Sequence, residues 1–212
     1  MRLANITWPQ AEAYFKEHDM VLMGVGSIEC HGKHMPLGTD TLIPDHLLED
    51  IEKRTDVLIC PTLPYGATDT LADFPGTINL GTDVLYDVMR SITDSLWQHG
   101  ARKFVILNGH GGGEETAAIM GIDPGLIDRT YVEEPLVLKN VSDELVATGF
   151  SSVVYKGVSV DIPRVTPTVT DNGWIGPDHP NTATEAWGKK MLQTSADYIV
   201  DFLGAFDRVK LD

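Results

Sequence analysis

Residues 21–26 read Val-Leu-Met-Gly-Val-Gly, and this short, nearly continuous apolar run decides the fold. Such a run is typical of a strand that is covered on both faces, as strands are in a parallel sheet. Residues 27–32, Ser-Ile-Glu-Cys-His-Gly, follow directly and are polar. Because α/β proteins build their sites at the carboxyl ends of sheet strands, residues 27–32 are predicted to lie at a functional edge.

Helical and strand patterns alternate on either side of this run. Helices are predicted over residues 8–18 (with Thr7 as N-cap), 42–54, 83–99, 114–120 and 184–202, and strands over residues 57–60, 76–80, 103–107, 136–140 and 153–160. The Pro/Gly-rich residues 163–180 are predicted to form a long surface loop. The alternation predicts an α/β fold: a single-domain, three-layer α/β/α arrangement with a mostly parallel central sheet.

Length and charge narrow the class of protein. The 212 residues are enough for one well-buried domain, so residues 1–212 are expected to form a single domain. The formal charge of -15 repels phosphate backbones and anionic membrane surfaces, which predicts no nucleic-acid and no membrane partner. No apolar run approaches the roughly 20 residues that cross a bilayer. Only two cysteines occur, and a reduced cytoplasmic location is expected.

Four side chains that can bind metal follow the predicted strands. Glu29 and His31 are two residues apart, so in an extended backbone both leave the same face. Asp40 lies nine residues later, in a predicted glycine-containing loop, and its two carboxylate oxygens could bridge two ions. His110 follows the strand over residues 103–107 and is flanked by glycines. Two distant segments thus bring nitrogen and oxygen ligands to one edge of the predicted sheet.

The types of ligand indicate which metals fit. Imidazole and carboxylate ligands without thiolates favour zinc, manganese or iron over copper(I) or an iron–sulfur cluster. Cys30 points away from its two neighbours in an extended segment and is expected to be buried behind the site. The histidines at positions 18, 46, 99 and 179 are interpreted as ordinary hydrogen-bonded or exposed residues.

Residues 26–40, Gly-Ser-Ile-Glu-Cys-His-Gly-Lys-His-Met-Pro-Leu-Gly-Thr-Asp, and residues 107–112, Leu-Asn-Gly-His-Gly-Gly, closely resemble motifs of the creatininase (creatinine amidohydrolase) family. The resemblance runs from about Trp8 to Gly113 and resumes in residues 115–124 and 172–188. It implies a creatininase-like α/β subunit that assembles into a homo-oligomer, a hexamer in the family. It also implies two divalent metal ions per subunit and hydrolysis of cyclic amides, formamides and related non-peptide C–N bonds in small molecules.

The resemblance also assigns metal ligands. The residues that match Glu29, Asp40 and His110 hold one ion, and those that match His31 and Asp40 hold the second together with a further glutamate. In the family a substantial segment separates the Asn-Gly-His-Gly-Gly motif from a second motif, His-Ala-Gly-x-x-Glu-Thr. Here the two motifs are fused in residues 110–116. Glu115 or Glu114 is therefore predicted as the remaining metal ligand or as the catalytic proton carrier, and the tryptophans that cover creatinine in creatininase have no counterpart.

The sequence hypothesis is metal-assisted amide hydrolysis, in which a water held between two cations attacks the carbonyl carbon. The glycines at positions 111–113 could offer backbone N–H groups to the oxyanion. Two alternatives stay open at this point. One is a relative that binds metal but has lost turnover, and the other is a small-molecule-binding α/β module that uses the glycine-rich turn after Leu107.

Overall fold

The computed structural model describes residues 1–111, 115–173 and 179–211. A parallel sheet of three strands, β1 (Met20–Val25), β2 (Leu58–Leu63) and β3 (Lys103–Asn108), lies at its centre in the order β2-β1-β3. Five α-helices of the described residues pack around it: α1 (Trp8–Glu17), α2 (Thr39–Glu52), α3 (Thr82–Gln98), α4 (Glu115–Ile122) and α5 (Glu185–Asp207). Three short strands, β4 (Val146–Ala147), β5 (Ser152–Tyr155) and β6 (Val158–Asp161), form a separate antiparallel sheet.

The central strand β1 is buried along its whole length, as its apolar sequence predicts. Successive side chains of a strand point to opposite faces, so β1 contributes side chains to two apolar clusters, one on each face of the sheet. Met20 and Leu22 pack with residues of α2, α4 and α5. Val21 and Met23 pack with Tyr14 of α1 and with the half-buried apolar face of α3. The arrangement is the three-layer α/β/α architecture that the sequence predicts.

Three predicted strands differ from the structure. Residues 76–80 make only an isolated bridge between Ile78 and Ile28, because the Asn79 side chain binds the backbone N–H groups of Thr68 and Gly81 and so holds a turn. Residues 136–140 belong to none of the strands. Residues 153–160 form two strands, β5 and β6, because the chain reverses at Lys156 and Gly157, both with positive φ.

Helix α2 begins three residues earlier than predicted, and this places Asp40 in its first turn and not in a loop. The carbonyl of Gly38 accepts hydrogen bonds from the N–H groups of Thr41 and Leu42, which starts the helix at Thr39. Negative charge near a helix N-terminus is stabilised by the helix dipole. The helix therefore both aims and stabilises the Asp40 carboxylate.

The backbone of Asp40 packs closely against the ends of β1 and β3. A Cβ atom added at Gly109 would lie 2.1 Å from the carbonyl oxygen of Asp40, and one added at Gly26 would lie 2.5 Å from it. Within α2, Pro44 has no N–H to offer this oxygen. The first turn of α2 can therefore approach β1 and β3 this closely only where these two positions lack a side chain.

Gly109→Ala should push the first turn of α2 outward, since the added methyl group meets backbone and the ring of Pro44. We expect a loss of about 1–3 kcal/mol in the free energy of unfolding, measured by chemical denaturation. Gly204→Ala in α5 is the control, because its nearest neighbour is a side-chain atom at 3.9 Å and alanine favours a helix. Equal stability of the Gly109→Ala variant and the wild type would contradict the packing argument.

No helix among the described residues is both long enough and apolar enough to cross a membrane.

Candidate metal centre

The carboxylate of Asp40 lies at the centre of a cluster of side chains that come from distant parts of the chain. Its Oδ1 is 2.9 Å from Nε2 of His31, and its Oδ2 is 3.0 Å from Nδ1 of His110. Ser27 donates a hydrogen bond of 2.5 Å to Oδ2. Each oxygen of this fully buried side chain thus faces a different histidine, which is the arrangement that a bridging ligand needs.

Glu29 completes the inner side of the cluster. Its Oε1 lies 3.1 Å from Nδ1 of His110 and 4.0 Å from Nε2 of His31. Its Oε2 is buried and has no hydrogen-bond partner among the described residues. A buried carboxylate oxygen without a partner is costly, and a cation is one way to remove that cost.

Glu115 approaches the cluster from α4. Its Oε2 lies 3.6 Å from Nε2 of His31, so the side chain is close to the position that the sequence predicts for a second-ion ligand. Glu114, the other predicted candidate, lies outside the described residues. The structure therefore brings together Glu29, His31, Asp40, His110 and Glu115. Ligand atoms of the first three lie within 4.8 Å of one another, close enough to hold one metal ion.

Backbone carbonyls fix the tautomers of both histidines. Nδ1 of His31 lies 3.1 Å from the carbonyl oxygen of Glu29, and Nε2 of His110 lies 3.1 Å from that of Ala67. A carbonyl only accepts hydrogen bonds, so in each neutral ring the proton sits on that nitrogen and the lone pair faces the carboxylates. Backbone carbonyls orient metal-binding histidines in the same way in other proteins.

Without a cation, the histidine nitrogens that face the carboxylates bind protons instead. The pKa values of the clustered side chains are shifted accordingly. Hydrogen bonds to Asp40 and Glu29 raise the pKa of His110 to about 10. Burial lowers the pKa of His31, but the hydrogen bond and charge of Asp40 outweigh burial and raise it to about 9. Burial also opposes ionisation of Asp40, yet hydrogen bonds from His110 and His31 hold its pKa well below the usual range.

One contact beside the cluster was not predicted from the sequence. Nε2 of the buried His34 lies 3.0 Å from Oγ1 of Thr116, the residue after Glu115. Burial lowers the pKa of His34, so its ring is neutral near pH 7. The contact ties the segment that carries His31 to the helix that carries Glu115. The only sequence signal was the position of His34 three residues after His31, and that spacing alone does not distinguish it from an ordinary buried histidine.

Cys30 is buried, as the sequence predicts. Burial also raises the pKa of its thiol. It is a free cysteine, and its Sγ lies against Gly173, where an added Cβ would be 2.3 Å away. The thiol is therefore a packing group beside the cluster.

Comparison with known proteins identifies the family to which this arrangement belongs. The sequence profile of the creatininase family, described as creatinine amidohydrolase, matches residues 4–115. These residues include β1 to β3 and each of the five clustered side chains. The chain belongs to the creatininase family.

Two curated relatives show how much of the chain is shared. Creatinine amidohydrolase of Pseudomonas putida is 35% identical over 114 residues, which are 51% of this chain and 44% of that enzyme. The mycofactocin precursor peptide peptidase of Mycolicibacterium smegmatis is 28% identical over 90% of this chain and 84% of its own length. The chain thus spans less than half of the creatinine amidohydrolase that it matches.

Solved structures confirm the creatininase-like fold. A structure described as creatininase Mn has a TM-score of 0.75 at 21% identity, over 98% of this chain and 99% of that chain. A mutant creatininase of Zn-Zn type has a TM-score of 0.76 at 21% identity, over 98% of both chains. At this level of identity the likeness concerns the fold alone.

The metal-free protein should lose stability as the pH rises. The pKa values of His31 and His110 are raised above the ordinary histidine value of 6.5, so the stabilisation is complete below about pH 6.5 and is lost as the pH passes through 9 to 10. Denaturation in the presence of a chelator at pH 6 and pH 10 measures this loss. Unchanged or greater stability at pH 10 would contradict the raised pKa values.

His34→Ala should weaken metal binding without removing a ligand. The hydrogen bond to Thr116 is lost, and with it a tie between the segment of His31 and the helix of Glu115. We expect a loss of about tenfold or less in metal affinity, below that for a direct hydrogen-bond partner of a ligand. Thr116→Val, which keeps the shape of the side chain, removes the same bond from the other end. Metal titration of both variants is the measurement. Wild-type affinity in both, even with reduced thermal stability, would restrict the contact to a structural role.

Proposed function

We propose that this chain is a metal-dependent hydrolase of amide and related C–N bonds, and that Glu29, His31, Asp40, His110 and Glu115 hold two divalent ions. The observation that carries the proposal is the Asp40 carboxylate, which presents one oxygen to a ring nitrogen of each of two histidines. The Oε2 of Glu29 supports the same interpretation, because it is a buried carboxylate oxygen without a hydrogen-bond partner among the described residues.

The family resemblance implies two ligand sets that share Asp40. In support, Nδ1 of His110 lies 3.0 Å from Oδ2 of Asp40 and 3.1 Å from Oε1 of Glu29. Nε2 of His31 lies 2.9 Å from Oδ1 of Asp40 and 3.6 Å from Oε2 of Glu115. Manganese, zinc and iron suit such a mixture of imidazole and carboxylate groups. When bound, such ions polarise an amide carbonyl and lower the pKa of water.

The protein side chains position the ions and move protons. Ser27 donates to Asp40 and keeps this carboxylate in one orientation. Glu115 is the least enclosed of the three carboxylates, with a side chain that is 18% exposed, against 4% for Glu29 and none for Asp40. In the proposal Glu115 therefore completes the second ligand set or carries a proton to the leaving nitrogen. Which of Glu114 and Glu115 does each task stays a prediction.

Small cyclic amides and formamides are the first substrate class that we propose, following the family resemblance. A peptide amide is a second candidate, and the extensive match to a peptide peptidase favours it. Both classes contain the same bond, and hydrolysis of either gives a carboxylate and an amine. Assembly into a homo-oligomer and a cytoplasmic location stay predictions.

Purified wild-type protein should contain about two divalent ions per chain by elemental analysis, and Glu29→Ala and His110→Ala should each retain less than half of that metal. Each variant removes one of two side chains of the cluster whose Nδ1 and Oε1 atoms lie 3.1 Å apart. The two variants should also lose hydrolysis of lactams, cyclic ureides and formamidopyrimidines.

Glu17→Ala and His99→Ala are the matched controls, since both residues are exposed and belong to other parts of the fold. Both should keep the wild-type metal content. A wild-type protein without stoichiometric metal, or metal that survives in Glu29→Ala and His110→Ala, would overturn the proposed site. Stoichiometric metal without hydrolysis of any amide would point to the inactive relative.

A further inference from the structure

The central sheet has two edges, of which one is covered by other residues and one is open. The edge of β2 is covered by the N-terminal residues, where the carbonyl of Met1 accepts a hydrogen bond of 2.8 Å from Ile59 and Arg2 bridges to the same residue. Strand β3 pairs with β1 on one side, and no other described strand pairs with it. An open edge offers a row of free backbone donors and acceptors.

The hydrogen bonds show which residues of β3 face outward. The N–H groups of Lys103 and Gly109 donate toward β1, to Asp19 and Val25 respectively. Because backbone direction alternates along a strand, the N–H and C=O groups of Phe104, Ile106 and Asn108 point to the open edge. From the first to the last of these three residues the open edge is about 13 Å long.

The open edge is apolar on both faces of the sheet. Phe104 packs into the cluster that contains α3, and Ile106, on the same face, is 42% exposed. Val105 and Leu107 pack on the other face, against the cluster of α2 and α5. Helix α3 has no fully buried residue, although its sequence carries a continuous apolar face. An added strand would therefore extend both apolar layers.

The most exposed side chain of the cluster belongs to a residue that follows β3. The His110 side chain is 33% exposed, whereas those of Glu29 and His31 are 4% and 6% exposed. His110 follows the last residue of β3 by two positions. A chain laid along the open edge would thus end beside the residue that has the most accessible side chain of the cluster.

We propose that the open edge of β3 binds an extended peptide as an added strand, and that the peptide's amide bond next to the paired stretch is the bond that the metal cluster cleaves. This inference rests on the proposed function and names its substrate class. The peptide carries apolar side chains at alternating positions and is neutral or basic. The formal charge of -15 favours a neutral or basic occupant of the edge.

The chemistry balances with water as the only co-reactant. The water oxygen forms a bond to the scissile carbonyl carbon, and the C–N bond breaks. One proton of the water passes to the leaving nitrogen, which departs as an amine. The second proton goes to this amine or to solvent, and the other fragment leaves as a carboxylate. Nothing is oxidised or reduced.

Ile106→Pro tests the proposal, because proline removes an outward-facing N–H while the donors toward β1 at positions 105 and 107 are kept. The probe is a mixture of random-sequence decapeptides incubated with metal-loaded protein, with products read by mass spectrometry. We expect cleavage by the wild type and at least about a tenfold lower kcat/KM for Ile106→Pro. The metal content should be equal in both, and Ile106→Val should keep wild-type peptide cleavage.

N-methylated versions of a cleaved peptide provide a second readout that does not depend on folding of a variant. Methylation of alternate amides in one register should abolish cleavage, and methylation of the intervening amides should spare it. Equal tolerance of both sets, or equal kcat/KM in Ile106→Pro and wild type, would overturn the proposal.

Two further outcomes separate this inference from the function on which it rests. A wild-type protein that hydrolyses lactams or formamides but no peptide would overturn the peptide proposal alone, whereas absence of stoichiometric metal and of all hydrolysis would overturn the proposed function itself. A wild-type dimer that Ile106→Pro converts to a monomer, seen by sedimentation, would show that a second copy occupies the edge, and would also overturn the peptide proposal.

Discussion

The structure depends on one negative charge held away from water. Asp40 is fully buried, and its carboxylate is stabilised by Ser27, by two histidines and by the N-terminus of α2. Burial of a charge is costly unless every lone pair finds a positive or donating partner. Several features of the structure give the Asp40 carboxylate these partners. They are the position of α2, the glycines at 26 and 109, and the tautomers of both histidines.

The sequence predicted those features that repeat with a fixed period or lie at the end of a strand. The apolar run at residues 21–26 indicated a buried central strand, and the structure confirms it. The position of Glu29, His31 and His110 after strands was also enough to bring them together in the prediction. Asp40 was placed correctly in the cluster but wrongly in a loop, because a helix with Pro44 in its second turn does not show the usual pattern.

Other features depend on contacts between distant residues and leave no local signal. The hydrogen bond between His34 and Thr116 joins residues 82 positions apart, and the sequence near either residue does not predict this contact. The turn at Lys156 and Gly157 was missed since a hairpin of two short strands resembles one long strand in its apolar pattern. The role of each clustered side chain as a ligand, and residues 1–212 as a single domain, stay predictions.

The most direct test of the account is anomalous diffraction from crystals of this protein grown with manganese or zinc. The account predicts anomalous peaks beside both carboxylate oxygens of Asp40, one near His110 and Glu29 and the other near His31 and Glu115. A cluster without anomalous density, in crystals where the same ion is bound elsewhere on the chain, would contradict it.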